Sequence, residues 1–589
     1  MNITEKLNKI THNRNIGNYA DAFNLANKLI AKYPKQPVLN LELGLLLIHK
    51  KDFKFAINHL LIANKEFKND EINKQIINCY FNIKKFAEAL ELNQSLLQKY
   101  PTSIDIQMFQ ARILKELKNF EEAEKILKGI LKVNFNINIA CEYGYLLNLN
   151  NKFVKAIEIF EEILSKEEHL PSIYNLGIAY TNNKDYSKAE QVLDKAIKIN
   201  SKIDDFWYAR SIAKLKQYKI ESALSDLKEI EKINPKNKYA VFQQGVINAN
   251  IGNDEEALQC YLASIDHIKD GEENEAYFRL GLMLFRQKKF KEAMPYWAKR
   301  IDSIDRYKNF DDKNINDTLP KENNIVIHRD QGLGDELLFL RVVDDLILKK
   351  INITYLCHEK LFSLLEANFK NIKIVKEYDG LEILDKKDVK KITAGTMLGL
   401  VNDPIKIASH SKKFKTNQLL TDKLRAKYKL DNKIIIGLSW KSKNEAIGDY
   451  KSIPLNEFVP IFENSNNYVF INLQYGEVKD EIDQIRKKYN VNIIQDEEVD
   501  CLNDLYGLSS LIEVCDYVIT CSNITAHLAG WLKKDTFILL PKNLGKLWYW
   551  NHQESNKSEW YPTISIINQQ ENGSWKNELK SLRKILDNK

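Results

Sequence analysis

An alanine returns every 33 to 36 residues through the first half of this 589-residue chain: Ala22, Ala56, Ala89, Ala123, Ala156, Ala189, Ala223, Ala257 and Ala293. Three residues before these alanines stand Tyr19, Phe53, Phe86, Phe120, Phe153, Tyr186 and Phe290, with Ile220 and Asp254 breaking the aromatic pattern. Twelve residues before them stand Gly44, Ala111, Gly144, Gly177, Ser211, Gly245 and Gly281, with Ile10 and Ile77 as exceptions. Self-similarity at such a period constrains the fold more than any composition does, because one unit cannot bury its apolar face alone and must stack on its neighbours. A small residue at that offset lets the two helices of a pair approach closely, and the aromatic fills the gap to the next pair. Pro34, Pro101 and Pro235 fall at unit ends, where a helix cannot continue.

Three positions in one register resemble the tetratricopeptide repeat, over roughly residues 10–305 and about nine units. The resemblance implies an α-solenoid, a right-handed superhelix of helix pairs with a concave inner face, over a domain of residues 1–306. Its ordinary use is to bind protein segments or to hold subunits together. A spacer is the plainer alternative.

The register is lost after Ala293, and residues 307–324, polar and containing Pro320, read as a linker. From Ile325 onward, short apolar runs alternate with helical stretches: Ile325–Ile327, Ile353–Leu356, Ile372–Val375, Ile434–Leu438, Tyr468–Leu473, Val491–Ile494, Tyr517–Thr520 and Phe537–Leu540. That alternation predicts an α/β architecture with parallel sheets. A charged stretch at Thr421–Lys433 divides it into Rossmann-like halves at 325–425 and 431–589, with a ligand cleft at the carboxyl ends of the strands.

Three stretches follow predicted strands and would line that cleft. The first is His328 to Arg341, in which Gln331, Gly332 and Gly334 lead into Asp335 and then a helix running to Ile347. Glycines at such a turn let backbone N–H groups approach a ligand. Asp335 has two readings: it caps the helix, or it accepts a proton from an attacking hydroxyl. The second is Gly437 to Lys443, with Ser439 and Lys441, followed by Lys451 and Ser452; cations and hydroxyls there suit a diphosphate. The third carries Ser522, Asn523, Thr525 and His527 from a strand end into a helix, the makings of an anion site. Taken by itself, His527 fits a structural role as well as a catalytic one.

Composition removes other classes. A net charge of +7 with dispersed basic residues gives no nucleic-acid stripe. No run of about 18 uncharged apolar residues predicts a membrane span. Met1 to Lys6 lacks the apolar core of a signal peptide, and seven scattered cysteines without a CxxC pair predict reduced thiols; together these point to the cytoplasm. No metal-ligand spacing, Walker loop or hydrolase elbow is present, so no metal and no cofactor is expected.

As a set, the motifs resemble the bacterial glycosyltransferases that follow tetratricopeptide arrays, with a catalytic part similar to the heptosyltransferases. The matching elements are a Gln-x-x-Gly-Asp loop (Gln331 to Asp335), Gly-x-Ser-Trp-Lys (Gly437 to Lys441), Lys-Ser-x-x-Leu (Lys451 to Leu455) and Ser522 to Gly530. The Trp-rich segment from Lys546 to Trp550 and Trp560-Tyr561-Pro562-Thr563 complete it. The resemblance implies a GT-B fold and metal-independent transfer of a sugar from a nucleotide diphosphate sugar to a protein or glycan acceptor held by the repeats. It implies Asp335 as base and Lys441, Ser522, Asn523, Thr525 and His527 toward the donor diphosphate. Ser522 departs from the family, which commonly has Asp there, and Asn551 to Glu554 departs near the end. Two rivals stand beside the transferase: an interaction scaffold with a vestigial sugar-nucleotide domain, and a sugar-nucleotide epimerase.

Overall fold

Every residue of the aromatic register opens the second helix of a pair. In the computed structural model, helices Tyr19–Ile30, Phe53–Phe67, Phe86–Lys99, Phe120–Val133, Phe153–Lys166, Tyr186–Ile199 and Phe290–Lys299 begin on the aromatic. Ile220–Ile233 and Asp254–Ile265 begin on the two exceptions. The recurring alanine lies one turn further on and is fully buried at all nine positions. A Cβ on Gly44 would stand 2.7 Å from Leu60, on Gly144 2.7 Å from Phe160, on Gly177 2.6 Å from Leu193 and on Gly245 2.9 Å from Tyr261. The small residue is therefore what sets the spacing within a pair. Among the described residues, eighteen helices, from Ile3–Asn15 to Phe290–Lys299, make up this helical-repeat series.

The turn inside each pair has a feature the sequence pattern does not announce. Two residues before each second helix, the backbone is left-handed: Gly17, Lys51, Lys84, Lys118, Asn151, Lys184, Tyr218, Gly252 and Lys288 all have φ between 57° and 95°. At the non-glycine positions this conformation costs about 1–2 kcal/mol. In return the next N–H reaches back to cap the first helix, as from Asp52 to the Leu47 carbonyl and from Lys85 to the Tyr80 carbonyl, both at 2.9 Å.

The structure describes all residues except 1–2, 134, 266–272, 302–306, 308–309, 313–323, 350, 385–388, 429–432, 445–446, 464, 552–555, 572 and 589. The chain forms two compact units, Met1–Asp226 and Leu227–Lys589. In the second, the last repeat shares a core with the α/β part. A Cβ on Gly395 would stand 2.4 Å from the Trp297 ring, and one on Gly399 2.4 Å from Met294. Phe285 meets Trp548 at 5.1 Å between ring centroids. Most of the 307–324 stretch, with Pro320, and residues 552–554 lie outside the described residues. Tyr307, Phe310 and Asp312 are buried, and Asp312 accepts from the Thr393 N–H and hydroxyl.

Among the described residues, ten strands form two parallel sheets. The first comprises β1 (Asn324–His328), β2 (Asn352–Cys357), β3 (Lys373–Lys376) and β4 (Lys390–Thr393) in the order β3-β2-β1-β4. The second comprises β5 (Ile434–Ser439), β6 (Tyr468–Asn472), β7 (Ile493–Ile494), β8 (Tyr517–Cys521), β9 (Asp535–Leu540) and β10 (Ile564–Asn568). Its order is β10-β9-β8-β5-β6-β7, a doubly wound pattern. β4 and β10 are absent from the sequence reading; both are sheet edges, and Lys390-Lys391-Ile392-Thr393 has no apolar run. The helix expected to run on to Ile347 breaks at Leu340–Val342, a single tighter turn between Leu333–Phe339 and Val343–Leu348. There the buried Arg341 donates through Nε and Nη2 to the Ala408 carbonyl at 3.1 and 2.6 Å.

All seven cysteines are free and none is exposed. Burial raises every one of these thiols, Cys79 to about 11 and Cys357, Cys501, Cys515 and Cys521 to about 12. No helix among the described residues is long and apolar enough to cross a membrane.

Two helical glycines separate packing from propensity. Gly144→Ala drives a methyl group into Phe160 and is expected to cost about 1–3 kcal/mol. Gly129→Ala meets nothing within 4 Å and should stabilise by roughly 0.5–1 kcal/mol. Urea unfolding of both variants checks the opposite signs.

Candidate functional site

Three strand ends deliver their loops to one cleft in the second unit. β1 runs through Asp330 and Gln331 into helix Leu333–Phe339. β5 leads to the turn Gly448–Lys451, and β8 passes through Ser522 and Asn523 into helix Ile524–Trp531. From β5 the chain moves outward to β6 and β7 and then returns beside β5 as β8. Loops leave such a switch point in opposite directions and open a crevice. Gly332, Gly334, Asp335, Lys451, Ser522, Asn523 and His527 line a cavity of about 370 Å³ there.

The first loop is positioned from the last repeat. Arg300 lies over the Trp297 ring at 3.8 Å and pairs with the buried Asp330. Gln331, the next residue, is the left-handed one, with φ 60°; Gly332 has φ −82°. The glycines thus do not serve by unusual backbone angles. Gly334 serves by close approach: a Cβ there would stand 2.8 Å from the His527 ring. Its neighbour Asp335 is half-buried, accepts from the Gly332 N–H at 3.3 Å as a capping contact, and is hydrogen-bonded with the Tyr549 hydroxyl. Burial raises its pKa to about 6, against the charge of Lys451, which favours the carboxylate.

Lys451 is the cation of the site. It is 5 % exposed, its acidity increased by burial and partly restored by Cys521 and Asp335. The turn at Gly545, with φ 92°, closes over it: a Cβ on Gly545 would stand 3.2 Å from Lys451 Cγ. His527 is 2 % exposed, and burial, then Lys451 and Arg341, depress its pKa to about 3, so the ring is neutral. Its Nδ1 is 2.9 Å from the Tyr561 hydroxyl and its Nε2 3.3 Å from that of Tyr549.

Other residues singled out from the sequence are tied up in contacts with their neighbours. Lys441 Nζ lies 2.6 Å from Glu481, which takes it away from the cavity lining. Asn523 accepts from the Thr525 N–H at 3.0 Å and donates to the Ser439 hydroxyl at 2.7 Å and the Lys441 carbonyl at 3.1 Å. Thr525 donates to Ser439 at 3.3 Å. Asn523, Thr525 and Ser439 therefore weld β5 to the helix after β8. Ser452 accepts from the Ser442 N–H at 3.0 Å, and the exposed Gln331 donates its amide to Asp330 at 3.3 Å. Ser522 accepts from the Trp550 indole at 3.0 Å. The sequence reading passed over Lys360 and Tyr475, which line the same cavity; both follow strand ends, after β2 and β6, so the rule that located the other loops locates them too. Among the described residues, no cluster of His, Cys, Asp or Glu is arranged to hold a metal ion.

Residues 83–140 and 170–203 each match a family described as tetratricopeptide repeat. The chain is similar to Protein FlbA of Caulobacter vibrioides, 24% identical over 457 residues that cover 74% of this chain and 70% of that protein. That coverage exceeds the helical series, so the similarity reaches into the α/β part. A TPR repeat-containing protein of Methanocaldococcus jannaschii is 24% identical over 249 residues, 39% of this chain and 41% of that protein. Among solved structures, a tetratricopeptide repeat protein from Parabacteroides merdae aligns with a TM-score of 0.36 at 18% identity, covering 44% of this chain and 98% of that one. The chain carries tetratricopeptide repeats, modules of protein–protein interaction.

The facing of Asp335 and Lys451 has a measurable sign. Lys451→Gln removes the charge that favours the carboxylate, so the Asp335 pKa should move above its present value of about 6. Carboxyl ¹³C shifts followed against pH check this; an unmoved or lowered pKa would mean that the two groups do not interact.

Proposed function

We propose that the chain is a glycosyltransferase that uses a nucleotide diphosphate sugar and draws its acceptor, a protein or glycan, to the cleft through the repeats. The observation that carries this reading is the convergence of three strand-end loops on a cavity with one buried ammonium, Lys451, opposite one carboxylate of raised pKa, Asp335. A base must hold its proton affinity near the working pH, and a pKa of about 6 suits that task.

In the proposed step, an acceptor hydroxyl oxygen forms a bond to the anomeric carbon while the bond from that carbon to the diphosphate oxygen breaks. Asp335 takes the hydroxyl proton. The electron pair of the breaking bond leaves with the nucleotide diphosphate, beside Lys451 and the start of helix Ile524–Trp531. Lys360 and Lys443 line the same cavity and add positive charge. The reading gives charge neutralisation to these lysines, not to a divalent ion, and moves the diphosphate contact from Lys441 to Lys451. Neutral His527, held by two tyrosines, shapes the wall and carries no proton in the step. Tethering an acceptor on the repeats raises its effective concentration at the cleft.

One observation favours the second reading, an interaction scaffold with a vestigial cleft. Where a carboxylate is expected from the resemblance, Ser522 is buried beneath the Trp550 indole.

Nucleotide release from UDP-, GDP-, ADP- and CMP-sugars, with cell extract as acceptor source and EDTA present, decides between them. Under the transferase reading, the wild type releases nucleotide from one donor only when extract is added, and Asp335→Asn lowers the rate at least about tenfold. No release from any donor, with no thermal stabilisation by any nucleotide, leaves the scaffold.

A further inference from the structure

Away from this cleft, a second cavity of about 70 Å³ opens between the last repeats and the segment that follows β9. It holds several times the space one water needs. Its polar lining comes from separate stretches of chain: Arg279 and Arg286 from helix Glu273–Arg286, Tyr261 from helix Asp254–Ile265, and Lys546 from the segment after β9. Arg286, 9 % exposed, pairs with Asp254 at 2.9 Å, and Arg279 pairs with Glu275 at 2.7 Å. Lys546 is half-buried, and among the described residues no carboxylate pairs with it. Burial, then the charge of Arg286, makes it more acidic than an ordinary lysine.

Tyr261 supplies an independent observation. Its side chain is 1 % exposed and lines the cavity, and its hydroxyl makes no hydrogen bond among the described residues. Arg279 and Arg286 are among the charges that act on it. A hydroxyl lining an open cavity beside two arginines and a lysine that no carboxylate among the described residues pairs with describes a place made for an anion.

We propose that this cavity binds a compact tetrahedral oxyanion, as free phosphate or as the phosphoryl end of a small molecule, between Arg279, Arg286, Lys546 and the Tyr261 hydroxyl. The site is separate from the glycosyl-transfer reading and does not depend on it. Its position gives it a reach into the cleft: Lys546 begins the segment whose Leu547 and Tyr549 line the larger cavity and whose Trp550 holds Ser522. An anion that fixes Lys546 therefore steadies one wall of the cleft from the repeat side.

The test uses the full chain, with inorganic phosphate titrated at constant ionic strength against chloride, followed by thermal melting and calorimetry. Lys451→Gln serves as a control for phosphate entering the larger cleft. A saturable rise in melting temperature is expected for the wild type, weakened at least about tenfold in apparent affinity by Tyr261→Phe and by Lys546→Gln and changed less than about twofold by Lys451→Gln. Glycerol 3-phosphate run alongside separates the sources: equal or tighter binding assigns a phosphoryl group on a larger molecule, and binding of phosphate alone assigns the free ion. A shift matched by chloride, one unchanged in both Tyr261→Phe and Lys546→Gln, or one abolished by Lys451→Gln overturns the proposal.

Discussion

Trp297 occupies the space that a side chain on Gly395 would take, and the geometry of the cleft follows from that contact. The indole carries the Arg300 guanidinium on its face, the guanidinium holds Asp330, and five residues later the same loop presents Asp335. A repeat helix that serves elsewhere in the array to bury its neighbours here fixes the start of a loop in the α/β part. Packing of a large aromatic against a glycine leaves little freedom for the helix to shift, because interiors packed to crystal-like density transmit displacement. The last repeat is therefore part of the α/β core and not an appendage to it.

Close approach at glycine recurs along the chain. Within the helix pairs it brings Leu60, Phe160, Leu193 and Tyr261 against a bare backbone; at Gly334 it brings the His527 ring against the first loop. The groups collected there respond to pH in opposite directions. Asp335, with its pKa raised to about 6, keeps a proton that the unfolded chain has already lost, so its effect on stability worsens as pH rises from about 4 to 6. His527, with its pKa lowered to about 3, stays neutral where the unfolded chain is protonated, so its effect worsens as pH falls below about 6.5.

Much of this was legible in the sequence because it repeats or because it is local. The alanine and aromatic register gives the helix pairs residue by residue, and eight of the ten strands stand out as apolar runs. The three cleft loops follow from their place after strands. What was not legible depends on distant chain. Lys451 stands in the sequence as a secondary candidate beside Lys441, and only the turn at Gly545 laid against it makes it the buried cation. Lys441, the lysine nearer the strand, is drawn off by Glu481 from another helix. Asn523 and Thr525, polar residues at a helix start, prove to be joined to Ser439. The left-handed turns of the repeats fall mostly on lysine, a residue that gives no hint of that conformation.

The seven thiols have a consequence for how the protein ages in solution. Cys79, Cys141, Cys357, Cys515 and Cys521 are buried and their thiols kept protonated, so oxidants and alkylating reagents reach these five only when the surrounding structure opens, whereas Cys260 and Cys501 are partly exposed. Cys79 and Cys141 belong to the first compact unit and Cys260, Cys357, Cys501, Cys515 and Cys521 to the second. The order in which they are modified is thus a chemical clock of local opening, kept separately by each unit and written into the chain without any added label.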